Sequence, residues 1–368
     1  MLTRRPRSPV VSPALPDSTP NQKDRQATVT ENLNIAVVGA TGLVGEAMLE
    51  ILQERDFPVG RLYPLASERS LGKSVRFRGH DLPVAVLDEH DFSDTDIALF
   101  SAGASVSEIH APRAVDAGCV VVDNTSRFRN EPDIPLVVPE VNPAALAGLR
   151  PRNIIANPNC STIQLVVALK PVYDAAGISR INVATYQAVS GAGRQQVEEL
   201  ARQSTELMSG RAEDADSESI PIAFNAIPQI DAFEDNGYTR EEMKMVWETR
   251  KIFGDDQIMI SATAVRIPVF IGHSEAVSIE TREKISATEV RNLLSAAPGV
   301  TLLDAGRAGG YPTARTQAAG ENDVFVGRIR DDLSHERGIS MWVVSDNLRK
   351  GAALNSIQIA EILVRDYL

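Results

Sequence analysis

The chain carries two cysteines in 368 residues, Cys119 and Cys160, far apart in sequence. That excludes a disulfide framework and a thiolate metal cage. The five histidines (His80, His90, His110, His273, His335) never fall three or four residues apart, so zinc-ligand spacing is missing too and no metal is expected. No apolar run is long enough to cross a bilayer. Cations are in deficit: the formal charge of −12 argues against nucleic acid as a partner, because phosphate backbones need clustered Lys and Arg. What remains is a composition ordinary for a soluble globular protein, in a chain long enough for two packed domains.

Residues 1–32 are rich in Pro, Ser and Arg without apolar periodicity and are expected to form a disordered extension. They lack the apolar core of a secretory signal. Their Arg and Ser content suits an organelle transit peptide, against which Asp17, Asp24 and the prolines count; the expected location is cytoplasmic.

Structure begins with "NIAVVGATGLVGEAMLEILQER", an apolar strand at Ile35–Val38, a glycine turn and an amphipathic helix. Gly39, Gly42 and Gly45 form a GxxGxxG spacing. Such a turn lets a phosphate approach the backbone, where the helix N-terminus supplies N–H groups and positive dipole. The alternative is a tight strand–helix turn with no ligand. After the second strand comes "SERSLGK", where Arg69, Ser70 and Lys73 favour the 2′-phosphate of NADP, with Glu68 as the discordant acid. Short strands at Ile97–Phe100 and Cys119–Val122 around a helix predict a parallel, doubly wound sheet, with Cys119 in its core.

In "NPNCSTIQLVVALKPVY", Cys160 precedes an apolar helix over Thr162–Tyr173, for which Ser161 and Gln164 have capping-box spacing. A thiol there is stabilised as thiolate by the dipole, although a buried structural cysteine fits the local sequence equally well. Three segments supply partners: Gln187 before the glycine turn Ser190–Gly193; Glu241 and Lys244 one turn apart on a helix, otherwise an ordinary surface ion pair; and Arg266 with His273, expected at one end of a β-hairpin. A thiolate, a proton-handling imidazole and a carboxylate-binding Arg are the parts thioester chemistry needs.

Together, "GATGLVG", "SERSLGK", "VVDNTSRFR", "VVPEVN", "NPNCSTIQ", "TYQAVSGAG", "EEMKM", "RIPVFIGHSE" and "SDNLRKGAALNSIQIAEIL" closely resemble the aspartate-β-semialdehyde dehydrogenase family, in family order from Asn34 to the C-terminus. The resemblance implies an α/β chain with an N-terminal Rossmann-like NADP domain over 33–159, completed by a C-terminal helix over 347–368. An α+β catalytic and dimerisation domain over 160–346 accompanies it. It also implies NADPH-dependent reduction of L-4-aspartyl phosphate to L-aspartate 4-semialdehyde by a homodimer. Cys160 would be the nucleophile, His273 the general acid/base, and Gln187 the group orienting the acyl. Arg266 would grip the α-carboxylate, Glu241 the α-ammonium, and Arg129 and Lys244 the phosphate. Thr41, Gly42, Leu43 and Val44 would line the pyrophosphate, Arg69 and Ser70 the 2′-phosphate, and Ser190, Gly191 and Asn347 the nicotinamide end. Competing readings are an N-acetylglutamyl-phosphate reductase, whose cysteine usually sits in Gly-Cys-Tyr, a malonyl-CoA reductase on the same scaffold, and a non-catalytic NADP-binding protein.

Overall fold

The computed structural model describes residues 32–150, 152–210 and 220–368. Residues 1–31 of the expected extension lie outside them.

The first sheet is all parallel and built from β1 (Leu33–Val38), β2 (Val59–Ala66), β5 (Ala85–Val86), β6 (Ile97–Phe100), β7 (Val120–Asp123) and β8 (Ile154–Ala156). A small hairpin, β3 (Ser74–Phe77) and β4 (His80–Pro83), stands apart from it. The strand order β5-β2-β1-β6-β7-β8 reverses direction at β1. Ligands collect at such a switch point, beyond the carboxyl ends of the strands. Helices α1 (Leu43–Glu54) and α2 (Ala104–Asp116) make the crossovers. From Ile35 to Val38 the strand β1 is apolar and buried because both its faces are covered there. Ile35 and Val37 join one core cluster with α1, while Ala36 and Val38 join the other.

Helix α3 (Cys160–Ala176) leads into a mixed sheet of β9 (Ile178–Gln187), β10 (Met259–Arg266), β11 (His273–Thr281), β12 (Val300–Leu302), β13 (Val324–Asp331) and β14 (Gly338–Ser345). Helices α4 (Arg194–Met208), α5 (Arg240–Phe253), α6 (Ala287–Ser295) and α7 (Leu354–Asp366) complete the described elements. The sheet order is β10-β9-β11-β14-β13-β12. The expected hairpin between Arg266 and His273 is therefore incorrect. Strand β9 lies between β10 and β11, parallel to the first and antiparallel to the second. Six residues separate Arg266 from His273, room enough for the chain to cross β9 rather than fold back on itself. The consequence favours a site, since Gln187, Arg266 and His273 end three adjacent strands at one edge.

Alternation in β9 turns Ile181, Val183, Thr185 and Gln187 inward and leaves Asn182 and Tyr186 exposed. The inward face packs on α3 through Ile163, Val166 and Val167. Helix α7 returns to the first sheet, where Leu354, Ile357, Ile359 and Leu363 share a cluster with Ile35, Val37, Met48 and Ile51. Among the described residues no helix is long and apolar enough to cross a membrane.

Candidate active site

At the switch point the backbone is crowded. Gly39 has φ +89°, and a Cβ there would lie 2.7 Å from Ser101 O; one at Gly45 would overlap Gly39 O. Only glycine fits either position. Helix α1 opens at Gly42 without a side-chain cap, so its first N–H groups and positive dipole end are free to meet a phosphate. Ser70 Oγ lies 3.1 Å from Thr41 Oγ1, which ties the turn after β2 to the glycine turn. Arg69 beside it is exposed. The donors and the tight turn fit a dinucleotide.

The cavity next to this turn has a volume of about 440 Å³. It brings together Val44, Arg129, Cys160, Gln187, Ser190, Gly191, Glu241, Lys244, Arg266 and Asn347 from distant parts of the chain. Thr41, Gly42, Leu43, Arg69, Ser70 and His273 do not line it.

Cys160 is the first residue of α3, capped by Asn159, whose Oδ1 accepts from Ser161 N (3.0 Å) and Thr162 N (3.3 Å). This corrects the expected Ser161–Gln164 capping box. The amide oxygen of Asn159, two residues earlier than Ser161, reaches two N–H groups at once. Ser161 Oγ is buried without a hydrogen-bond partner among the described residues, and Gln164 Oε1 accepts from Ser345 Oγ at 2.7 Å. The expected thiolate needs correction as well. Burial and the Glu241 carboxylate push the Cys160 thiol up to about 12, against the pull of Arg129, Arg266 and the Ser161 N–H. Desolvation outweighs the helix dipole here, so the resting sulfur is a thiol. Cys119 is wholly buried in the first sheet's core, its Sγ donating to Thr95 O (2.8 Å).

Glu241 is buried, not on the surface. Burial would raise its pKa, but Lys244 and the amides of Asn159 (2.9 Å) and Gln187 (3.1 Å) bring it down to about 2. Lys244 pairs with Glu241 at 3.0 Å and with Asp231 at 2.8 Å. Arg266 Nη1 donates to Ala188 O at 2.6 Å and faces the cavity. Ser190 Oγ accepts from Asn347 Nδ2 at 2.9 Å, and Asn347 Oδ1 accepts from Gly272 N at 2.8 Å.

His273 is fully buried behind Gly191, where a Cβ would come within 3.2 Å of the ring's Cε1 and Nε2. Its Nδ1 accepts the Ala188 N–H at 3.0 Å, so the neutral ring carries its proton on Nε2. Burial and Arg266 hold its pKa down at about 3. Gln187 Nε2 stands 3.5 Å from Nε2 while donating to Glu241 Oε1. Both nitrogens are then donors, so neither satisfies the other.

Several site residues escaped the sequence reading. Asn159 and Asp231 carry no motif beyond their neighbours. Gly351 lies where a Cβ would sit 2.8 Å from Cys160 Cβ, in a π-helical turn at Arg349–Ala353. A glycine inside an otherwise helical pattern was the available signal.

A glycine-rich nucleotide turn feeding a cysteine cavity defines a semialdehyde dehydrogenase type of oxidoreductase. The family model "Semialdehyde dehydrogenase, NAD binding domain" matches residues 34–149, and "Semialdehyde dehydrogenase, dimerisation domain" matches residues 169–350. An aspartate-semialdehyde dehydrogenase of Legionella pneumophila is 60% identical over 340 residues, 92% of this chain and 98% of that protein. One from Shewanella sp. (strain DB6705) is 57% identical over 339 residues, 92% of this chain and all of the relative. The crystal structure of aspartate semialdehyde dehydrogenase II from Vibrio cholerae superposes with a TM-score of 0.89 at 58% identity, covering 92% of this chain and 100% of its own. A Candida albicans aspartate semialdehyde dehydrogenase solved with NADP gives 0.70 at 28% identity, covering 90% and 98%. The chain belongs to the aspartate-semialdehyde dehydrogenase family.

Proposed function

We propose that the protein reduces L-4-aspartyl phosphate to L-aspartate 4-semialdehyde with NADPH, releasing phosphate through a thioester on Cys160. This is the step from which lysine (through diaminopimelate), threonine, methionine and isoleucine are made. The observation that carries the reading is a cysteine at the head of a buried helix, opening into one cavity with two arginines, a lysine and the end of the nucleotide turn.

Arg266 holds the substrate α-carboxylate, Glu241 the α-ammonium, and Arg129 with Lys244 the phosphate. Glu241 suits a cation because its depressed pKa keeps it ionised. As the sulfur attacks the acyl carbon, the thiol proton passes to His273 as general base, and the bond to phosphate oxygen breaks. Gln187 Nε2 and His273 Nε2–H supply the pair of donors that a developing oxyanion needs. For His273 to serve as general acid/base its bond to the Ala188 N–H must open, so the proposal includes a movement of that ring. Thr41, Gly42, Leu43 and Val44 would hold the pyrophosphate of NADPH, Arg69 and Ser70 its 2′-phosphate, and Ser190, Gly191 and Asn347 its nicotinamide end; the bound cofactor would supply the hydride that turns the thioester into an aldehyde. Arg69 supports NADP over NAD because it is exposed beside Ser70, clear of any ion pair in the described residues.

The residue ranges 33–159 with 347–368, and 160–346, are proposed as the cofactor and catalytic domains of a cytoplasmic homodimer. Exposed Tyr186 against Trp342, ring centroids 5.6 Å apart on the outer face of the mixed sheet, supports that face as the interface. Sedimentation as a monomer contradicts it. The assay for the activity is NADP reduction by the purified chain with aspartate semialdehyde and phosphate. Turnover there supports the reading. Turnover only with CoA in place of phosphate assigns an acyl-CoA reductase instead.

A further inference from the structure

Helix α5 carries Glu241, Lys244, Glu248 and Lys251 three, four and three residues apart, on one face. Such a charged stripe normally faces water. Here Glu241 is 5% exposed and Glu248 1% exposed, and each group is used. Lys251 Nζ donates to the carbonyls of Arg129 (2.8 Å), Glu131 (2.7 Å) and Ile134 (2.9 Å), fixing the loop that bears Arg129. Glu241 holds the Asn159 side chain at 2.9 Å. Glu248 lies between them and reaches both ways. Its Oε1 accepts from Arg129 Nη1 at 3.1 Å and its Oε2 from the Asn159 backbone N at 2.6 Å. Both oxygens accept, which is the arrangement of an ionised carboxylate; burial raises its pKa, and Arg129 and the Asn159 N–H oppose that rise. Arg129 Nη2 is committed to Asn124 O at 2.8 Å, and Arg129 Nε, buried, has no partner among the described residues.

We propose that Glu248 is a positioning residue: one carboxylate fixes both the guanidinium that receives the phosphate and the backbone N–H at the head of the nucleophile's helix. The anion site and the sulfur are thereby held in register along a rigid helix. This rests on Cys160 as nucleophile and Arg129 as phosphate ligand. Two consequences follow. A displacement of either end by about 1 Å lowers turnover roughly 10²-fold. Glu248 also offsets the Arg129 charge, the first cation acting to acidify the Cys160 thiol.

The test compares wild type, E248Q, E248D, R129Q and R129Q/E248Q by kcat and by the pH profile of Cys160 alkylation with iodoacetamide. NADP titration serves as the folding control. E248Q should keep its NADP affinity, lose roughly 10²-fold in kcat, and move the alkylation midpoint down by about one pH unit. In the R129Q background that downward shift should vanish, because the buried Glu248 carboxyl takes up a proton once its guanidinium partner is gone and has no charge left to remove. E248D keeps the charge but is too short to span both donors, so kcat should fall with no shift in the midpoint; it carries the test should E248Q not fold. Wild-type kcat in E248Q or E248D overturns the proposal, and so does an equal midpoint shift with and without Arg129. Failure of the underlying reading looks different: C160S would then turn over, whatever Glu248 does.

Discussion

Replacing Glu275 with Gln should stabilise the protein, and by more the higher the pH. Glu275 lies on β11 two residues after His273, on the face turned to the core, and is 0% exposed. Neither of its carboxyl oxygens has a hydrogen-bond partner among the described residues, and nor does Gln164 Nε2, the amide that faces it. Burial raises its pKa well above the ordinary carboxylate value, only slightly opposed by Gln164. In an unfolded chain a Glu releases its proton near pH 4.3, about where the folded protein still binds it. Between that pH and the folded-state pKa the unfolded state therefore binds fewer protons, and stability falls as pH rises. The slope is about 1.4 kcal/mol per pH unit for one proton. Gln has the same shape and no proton to lose. At pH 4 the two proteins should be nearly equal in stability. Above it the advantage of E275Q should widen with each pH unit, by roughly 1–2 °C in Tm per kcal/mol in a chain of this length. Urea midpoints and thermal scans at pH 5, 6, 7 and 8 measure the gap. A gap that stays constant with pH refutes the reasoning, because it means that Glu275 ionises alike in both states.

Gly351→Ala should lower kcat at least tenfold with NADP affinity unchanged, because the new Cβ meets Cys160 Cβ at 2.8 Å; initial rates and a cofactor titration decide, and wild-type turnover contradicts the packing argument. Arg69→Ala should raise the KM for NADPH far more than that for NADH; equal effects on both would remove the 2′-phosphate contact from this residue.

The glycine turn was legible because its physics is local. A strand, three glycines and an amphipathic helix specify where backbone must come close, and Gly39 and Gly45 lie where no Cβ fits. Cys160 at a helix head was legible for the same reason, although the helix runs from Cys160 to Ala176 rather than over the expected Thr162–Tyr173. Its cap and its acidity were not. The cap moved two residues because Asn159 is gripped by Glu241 and Glu248, residues from a helix some eighty positions away. The thiol's pKa depends on how much water the assembled cavity removes, which no window of sequence contains. Strand order failed similarly. Nothing local in "RIPVFIGHSE" tells whether β10 and β11 pair directly or admit β9 between them. The charges of α5 read as an exposed ion pair until the fold buried them, and the polar His273 and Glu275 at alternate core-facing positions of β11 were the one sequence sign that this face served more than packing.

The account stands on a covalent aspartyl group at Cys160. Mixing the enzyme with aspartate semialdehyde and NADP in the absence of phosphate, then quenching in acid for mass spectrometry, tests that directly. The prediction is a stoichiometric burst of NADPH with one acyl group on the peptide that contains Cys160, removed when phosphate is added and missing in C160S. A burst with no modified peptide, or an acyl group found on another residue, contradicts it.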